Sequence, residues 1–205
     1  MTSGESLRPR GVWERFLAAN ARFAEGRPTH PRQTEAHRRR LLEGQTPHAA
    51  IVSCSDSRIV PEIIFDQGLG DLFVIRVAGG VLGQVGLASV EYAVGHLRVP
   101  LVIVLAHSSC GAVTAMLSGR KPEGHLAALI EEIAPAAGNR AGSEAEAVTA
   151  ERINRVAEAN AHLVARHLRE SEPIIAPPVA RGDAEVVAAY YDMESGRVHE
   201  LTEGS

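Results

Sequence analysis

Cysteine is scarce in this sequence: Cys54 and Cys110 are the two among 205 residues. A disulfide-stapled scaffold is excluded by that count, and no Cys-x-x-Cys redox pair occurs. Aromatic residues amount to 4%, and the single Trp and two of the four Phe fall in one N-terminal stretch. No apolar run approaches the roughly 20 residues that a membrane-spanning helix needs; the longest is Val99 to Ala106. Basic charge is not in excess either. Lys and Arg total 21 against 25 Asp and Glu, a formal net charge of −4, so nothing drives binding to a phosphate backbone. Neither nucleic acid nor a membrane is an expected partner. The cluster His37-Arg38-Arg39-Arg40 reads as the solvated face of a helix. Met1-Thr2-Ser3-Gly4-Glu5 lacks the charged-then-apolar pattern of a leader, and a cytoplasmic location is expected.

What is present is a globular mixture, 45% hydrophobic and 22% charged, of a length that suits one α/β domain. Short unalternating runs occur at 49–52, 71–77, 100–106 and 185–191, the pattern of strands buried on both faces. Helical spacings separate them at 86–97, 124–134 and from about 144 to 169. Ser195-Gly196 signals a turn that returns 197–201 as an edge strand. The expected fold is therefore α/β, a mostly parallel central sheet flanked by helices, in one domain over residues 1–205. Ahead of it, Trp13, Phe16, Leu17 and Phe23 lie at helical spacings. They mark an amphipathic arm within residues 1–30 that docks on its own domain or on a partner subunit.

Two strand runs end in polar clusters, where open α/β sheets bind ligands. The first continues as Ser53-Cys54-Ser55-Asp56-Ser57-Arg58, the second as His107-Ser108-Ser109-Cys110-Gly111. If those strands are neighbours, Cys54, His107 and Cys110 converge. Two thiolates and an imidazole form a zinc site of catalytic type, with a fourth position open. A helix beginning near Gly111 helps to keep the Cys110 thiolate ionised. In an extended continuation Cys54, Asp56 and Arg58 point the same way. Asp56 is then either a fourth ligand or the partner of Arg58. Each residue alone has a plainer reading, as a buried thiol, a core histidine or a surface ion pair. Gly79-Gly80-Val81-Leu82-Gly83 matches neither a P-loop nor a dinucleotide fingerprint, and reads as a backbone turn closing over a site.

Cys54-x-Asp56-x-Arg58 followed by His107-x-x-Cys110 resembles the signature of the β-class carbonic anhydrases, plant-like subgroup. The resemblance runs from Gln45 to about Val113, through Pro61-Glu62, Gly70-Asp71-Leu72-Phe73-Val74-Ile75-Arg76 and Glu91-Tyr92-Ala93-Val94. It returns at Tyr190-Tyr191-Asp192 and Ser195-Gly196-Arg197-Val198. It implies a zinc lyase that hydrates carbon dioxide reversibly to bicarbonate and a proton, by attack of a zinc-bound hydroxide. One Zn²⁺ per chain would be held by Cys54, His107 and Cys110, with Asp56 and Arg58 as the catalytic dyad. Gln45 would orient the substrate, Phe73 and Tyr92 would wall its apolar pocket, and Gly79 would line it. A homodimer or a tetramer (a dimer of dimers) is implied, with the site at the interface and the arm, through Trp13 and Phe16, crossing onto the partner. Ile51 stands where the bicarbonate-regulated subgroup has Trp, which argues against that regulation although Arg76 is retained. Gly80 stands where Asn is usual. Charge counting adds a switch: hydroxide and the Asp56 carboxylate compete for one position on the metal, so Asp56 would be a ligand in a closed form at lower pH. Activity would then rise into the alkaline range. A COS or CS₂ hydrolase on the same fold, and a zinc-stabilised binding protein without turnover, are the alternatives.

Overall fold

The computed structural model describes residues 8–140 and 147–202. The apolar runs extend as β1 (Ala49–Ser53), β2 (Leu72–Arg76), β3 (Leu101–His107) and β4 (Glu185–Asp192), and β5 (Arg197–Glu200) follows the turn. Their order is β2-β1-β3-β4-β5. The first four are parallel, and β5 returns antiparallel to β4 with Tyr190 opposite His199. Eight α-helices accompany the described strands: α1 (Pro9–Ala24), α2 (Glu35–Arg40), α3 (Pro61–Ile64), α4 (Gln84–Glu91), α5 (Gly111–Leu117), α6 (Leu126–Ile133), α7 (Ala150–Arg169) and α8 (Ala176–Arg181). None of them is long and apolar enough to cross a membrane.

Alternation along each strand sorts the core into two layers. Ala50, Val52, Val102, Val104, Val186 and Ala188 pack with Val90 of α4 and with Ala161, Ala165 and Leu168 of α7. Ala49, Ile51, Leu101, Ile103, Leu105 and Val187 face the other way, onto Val12, Trp13 and Phe16 of α1, Ile64 of α3 and Phe65 just after it. The long helix starts later than its periodicity predicts. Thr149 caps it by accepting the Arg152 N–H at 3.2 Å, which fixes the first turn at Ala150. Residues 144–146 of the expected span lie outside the described residues.

In the arm, Trp13 and Phe16 are buried within their own chain, at 0% and 2% exposure. Both rings pack on Phe65, with centroids 6.5 and 5.4 Å apart, and the Trp13 indole N–H donates to the Glu200 carboxylate at 2.8 Å. The cause is the sheet's second face, which the four-residue α3 is too short to cover. Asn20 then locks α1 in place. Its amide donates to the carbonyls of Ile64 and Gly196 and accepts the Val198 N–H at 2.7 Å. After α1, the buried Asp66 carboxylate accepts from the Thr29 and His30 amides and from Arg22.

The chain leaves β1 for β2 on one side and later lays β3 against the other side. Connections therefore diverge from the carboxyl ends of β1 and β3, which opens a crevice there.

Candidate metal centre

Both predicted clusters meet in that crevice. Ser53 pairs with Leu105, so Cys54, one residue on, arrives level with the end of β3 and its last residue His107. Ser109 then takes a positive φ of 55°, and the chain reverses to deliver Cys110 as the N-cap of α5. The two sulfurs and a ring nitrogen of His107 all lie within 4.8 Å of one another, and all three side chains are buried. His107 Nδ1 sits 2.9 Å from the Ser108 carbonyl. A carbonyl only accepts, so Nδ1 carries the proton and Nε2 presents its lone pair. That Nε2 is buried without a hydrogen-bond partner.

The two thiols act on each other. Contact with Cys110 drives the Cys54 thiol down against its own burial, helped by His107 and by the amides of Asp56 and Gly79. Cys110 is pushed up in turn, by Cys54 and by burial, and the amides of Ala112 and Val113 at the start of α5 offset this only in part. Two thiols this close in a buried site resist ionising together unless a cation lies between them. A lone pair with no partner and two sulfurs sharing one proton fit a thiophilic dication, and a Cys₂His donor set is one that zinc takes in catalytic sites.

Asp56 is held away from those donors. Arg58 grips it with both arms, Nε to Oδ1 at 2.9 Å and Nη2 to Oδ2 at 2.7 Å, and adds its backbone N–H at 3.0 Å. The arrangement is thus the one with Asp56 turned to Arg58, and not the closed form with the carboxylate among the ligands. The Arg58 side chain holds the Asp56 carboxyl well below the usual carboxylate range. Their pairing does not arise from an extended continuation of β1. A turn closes at once, with the Ile59 N–H donating to Asp56 O at 2.9 Å, and the turn brings side chains two apart onto each other.

Two supports had no role in the sequence reading, and a third, Gly79, takes a different one from the pocket lining expected of it. Arg76, at the end of β2, donates to the carbonyls of Cys54 (3.2 Å) and Asp56 (2.8 Å). Asn154 of α7 accepts the Ser109 N–H at 3.0 Å, while Arg58 Nη2 donates to the Ser109 carbonyl at 3.3 Å. Gly79 donates its N–H to Cys54 Sγ at 3.2 Å, so this glycine attends a metal donor. Its φ is +74°, and a Cβ there would come within 2.7 Å of Ile133 Cδ1, which leaves glycine as the residue that fits. Strand register alone would have signalled Arg76, since Ser53 pairs with it. The α7 contact needed the tertiary fold.

Gln45, Phe73 and Tyr92 are not brought to this cluster. Gln45 is exposed, ahead of β1 and therefore at the opposite end of that strand from Cys54. Phe73 pairs with Ala50, four residues before Cys54, or about 13 Å back along the strand at its usual rise. Tyr92 opens the π-helical turn Tyr92–His96 after α4. It stacks on His96 and lies 5.9 Å from the Phe73 ring, with 46% of its surface exposed.

Residues 49–198 match the family described as carbonic anhydrase. The chain is similar to carbonic anhydrase 2 of Mycobacterium tuberculosis, 40% identical over 195 residues that cover 92% of this chain and 91% of that protein. It is also similar to the carbonic anhydrase of Mycolicibacterium smegmatis, 41% identical over 197 residues, covering 93% and 92%. Among solved structures it resembles a tetrameric β-carbonic anhydrase of Sordaria macrospora, with a TM-score of 0.76, 28% identity and coverage of 94% and 98%. The β-carbonic anhydrase of Coccomyxa superposes with a TM-score of 0.72 at 25% identity, covering 90% and 84%.

Proposed function

The chain belongs to the β class of the carbonic anhydrase family and catalyses the zinc-dependent, reversible hydration of carbon dioxide; from that premise we propose how its residues divide the work, and that a second copy of the chain completes each site. Cys54 Sγ, His107 Nε2 and Cys110 Sγ hold the zinc. When bound there, zinc supplies a Lewis acid that makes water nucleophilic towards carbon dioxide. Asp56, one turn away, accepts a hydrogen bond from the reacting water. A carboxylate held so far down by Arg58 keeps no proton near neutrality, so Asp56 orients and does not shuttle. Arg58 fixes the plane of that carboxylate through two parallel hydrogen bonds and ties it to the His107–Cys110 loop through the Ser109 carbonyl. Arg76 holds the Cys54–Asp56 backbone in register.

Gln45, Phe73 and Tyr92 serve the partner's site in a homodimer, Gln45 orienting carbon dioxide and the two rings walling its pocket. The observation that carries this is that Gln45 lies at the far end of β1, Phe73 on edge strand β2 and Tyr92 against the Phe73 ring, away from this chain's own donors. Large apolar side chains also stay uncovered in one chain, Leu42 at 86% and Val85 at 83% exposure, and a second subunit would bury such surface. A reducing, cytoplasmic location suits this chemistry, because both cysteines are needed as thiolates.

Subunit mixing tests the division. Cys54→Ala removes a metal donor and Tyr92→Ala removes a pocket wall, so each homodimer is impaired at both sites. In a mixed dimer the Tyr92→Ala chain keeps its donors and receives an intact Tyr92 from its partner. Statistical mixing after dissociation should restore about a quarter of wild-type carbon dioxide hydration, since half the dimers are mixed and each has one sound site. Mixing without recovery would mean that Tyr92 serves its own chain's site.

A further inference from the structure

Helix α7 reaches the metal centre through a buried amide. Asn160 is 5% exposed, and its Nδ2 donates to the Gly79 carbonyl at 3.1 Å. Gly79 in turn donates its N–H to Cys54 Sγ at 3.2 Å. A continuous path of two hydrogen bonds therefore joins α7 to one of the sulfurs.

The turn that carries Gly79 has little rigidity of its own. Gly79 and Gly80 are consecutive and both take positive φ, 74° and 67°, and two glycines in a row leave the backbone more conformations than any other pair. One anchor is local, the Gly80 N–H donating to the Val77 carbonyl at 2.8 Å. It closes the turn without setting the direction of the Gly79 amide. Asn160 fixes the carbonyl on the other side of the same Cα, which sets how the residue is rotated. The helix behind it is rigid here, because Ile153, Val156 and Ala157 pack into one apolar cluster with Cys54, Cys110 and Ile133. An N–H aimed at a thiolate withdraws electron density from sulfur, so the thiolate donates less to whatever it binds.

We propose that Asn160 is a positioning residue for the reaction, which holds the Gly79 amide on Cys54 Sγ and so sets how much charge that sulfur gives to the metal. The proposal rests on the reading of Cys54 as a metal ligand. Its consequence is local: without Asn160 the donors stay in place, but the sulfur becomes a stronger donor and a less well-held one.

The test is cobalt substitution of the full chain, with Co²⁺ as the probe. In Asn160→Leu, which keeps the volume and loses the donor, the thiolate-to-cobalt charge-transfer band should move to longer wavelength. Zinc affinity by chelator competition should fall about ten-fold, the scale of lost outer-shell contacts. Asn160→Gln, which keeps an amide donor, should return the band towards its wild-type position. Should the Leu variant fail to fold, Asn160→Ser is too short to reach the Gly79 carbonyl and carries the same expectation. An unshifted band in a cobalt-loaded Leu or Ser variant overturns the proposal. Cys54→Ala separates the two layers: an undiminished thiolate band there would mean that the ligand reading itself had failed, whatever Asn160 does.

Discussion

The two ends of β1 differ in what one chain can supply. At the carboxyl end, two strand ends, a reversed loop and α7 bring three donors, a gripped carboxylate and four supporting groups together, and nearly every polar atom has its partner within the chain. Away from that end, Phe73 lies on β2, the edge strand that pairs on one side alone, Gln45 precedes β1 and Tyr92 follows α4, and large apolar side chains such as Leu42 and Val85 stay exposed. Metal chemistry needs donors held within tenths of an ångström and so demands a buried, over-determined frame. A pocket for a small apolar substrate needs only walls, and walls can come from another subunit. The difference teaches which half of the activity one chain can frame by itself.

His107→Ala would strike the self-contained end hardest. Outer-shell changes alone cost about 10–100-fold in metal affinity, so loss of a donor should cost more than about 100-fold, with zinc content near zero and carbon dioxide hydration at background. Retention of one zinc per chain would break the contrast. Arg58→Ala comes next. It frees Asp56 without touching a donor, so turnover should drop about 10–100-fold while most of the zinc stays. Complete loss of zinc would show that Arg58 maintains the frame and not the reacting water.

The smallest effect concerns the arm, remote from both ends. Burial pushes the Asp66 carboxyl up, but the Thr29 amide, Arg22 and the His30 amide outweigh it and leave it lowered. A lowered carboxyl stabilises the fold above its unfolded value of about 3.9, and that contribution fades as pH falls through the folded value. Asp66→Asn should therefore cost about 1–3 kcal/mol at neutral pH, Arg22 being partly solvated. The gap in thermal midpoint from wild type should narrow below about pH 4, with zinc content unchanged at neutral pH. A gap independent of pH would mean that packing, and not charge, ties down the residues after α1.

Much of the fold was legible because the apolar runs are short, rich in Val and Ile, and separated by helical spacings. A strand buried on both faces can hardly be written in other residue types, and all five strands lie within one or two residues of their expected positions. Cys54, His107 and Cys110 were legible as a group for a related reason: metal-binding residue types placed just past strand ends are rare. The arm's packing was left open between its own domain and a partner, because an aromatic stripe announces burial without saying against what. The answer lay in the sheet's second face, whose need for cover is visible only once the short α3 is seen beside it.

Local chemistry, then, was determined by the sequence itself: which segments extend, which side chains can bind a soft dication, and that Asp56 and Arg58 are close enough to pair. The tertiary structure decided everything that depends on register and crossing. Strand order placed β1 beside β3 and so made one site of two clusters. Parallel pairing put Arg76 beside Ser53 and left Phe73 about 13 Å short of the metal donors. The path of α7 set Asn154 and Asn160 against two loops far away in sequence. Spacing along a chain records what neighbours in sequence can do, whereas a hydrogen bond between residues 81 positions apart exists only once the sheet has fixed where both of them stand.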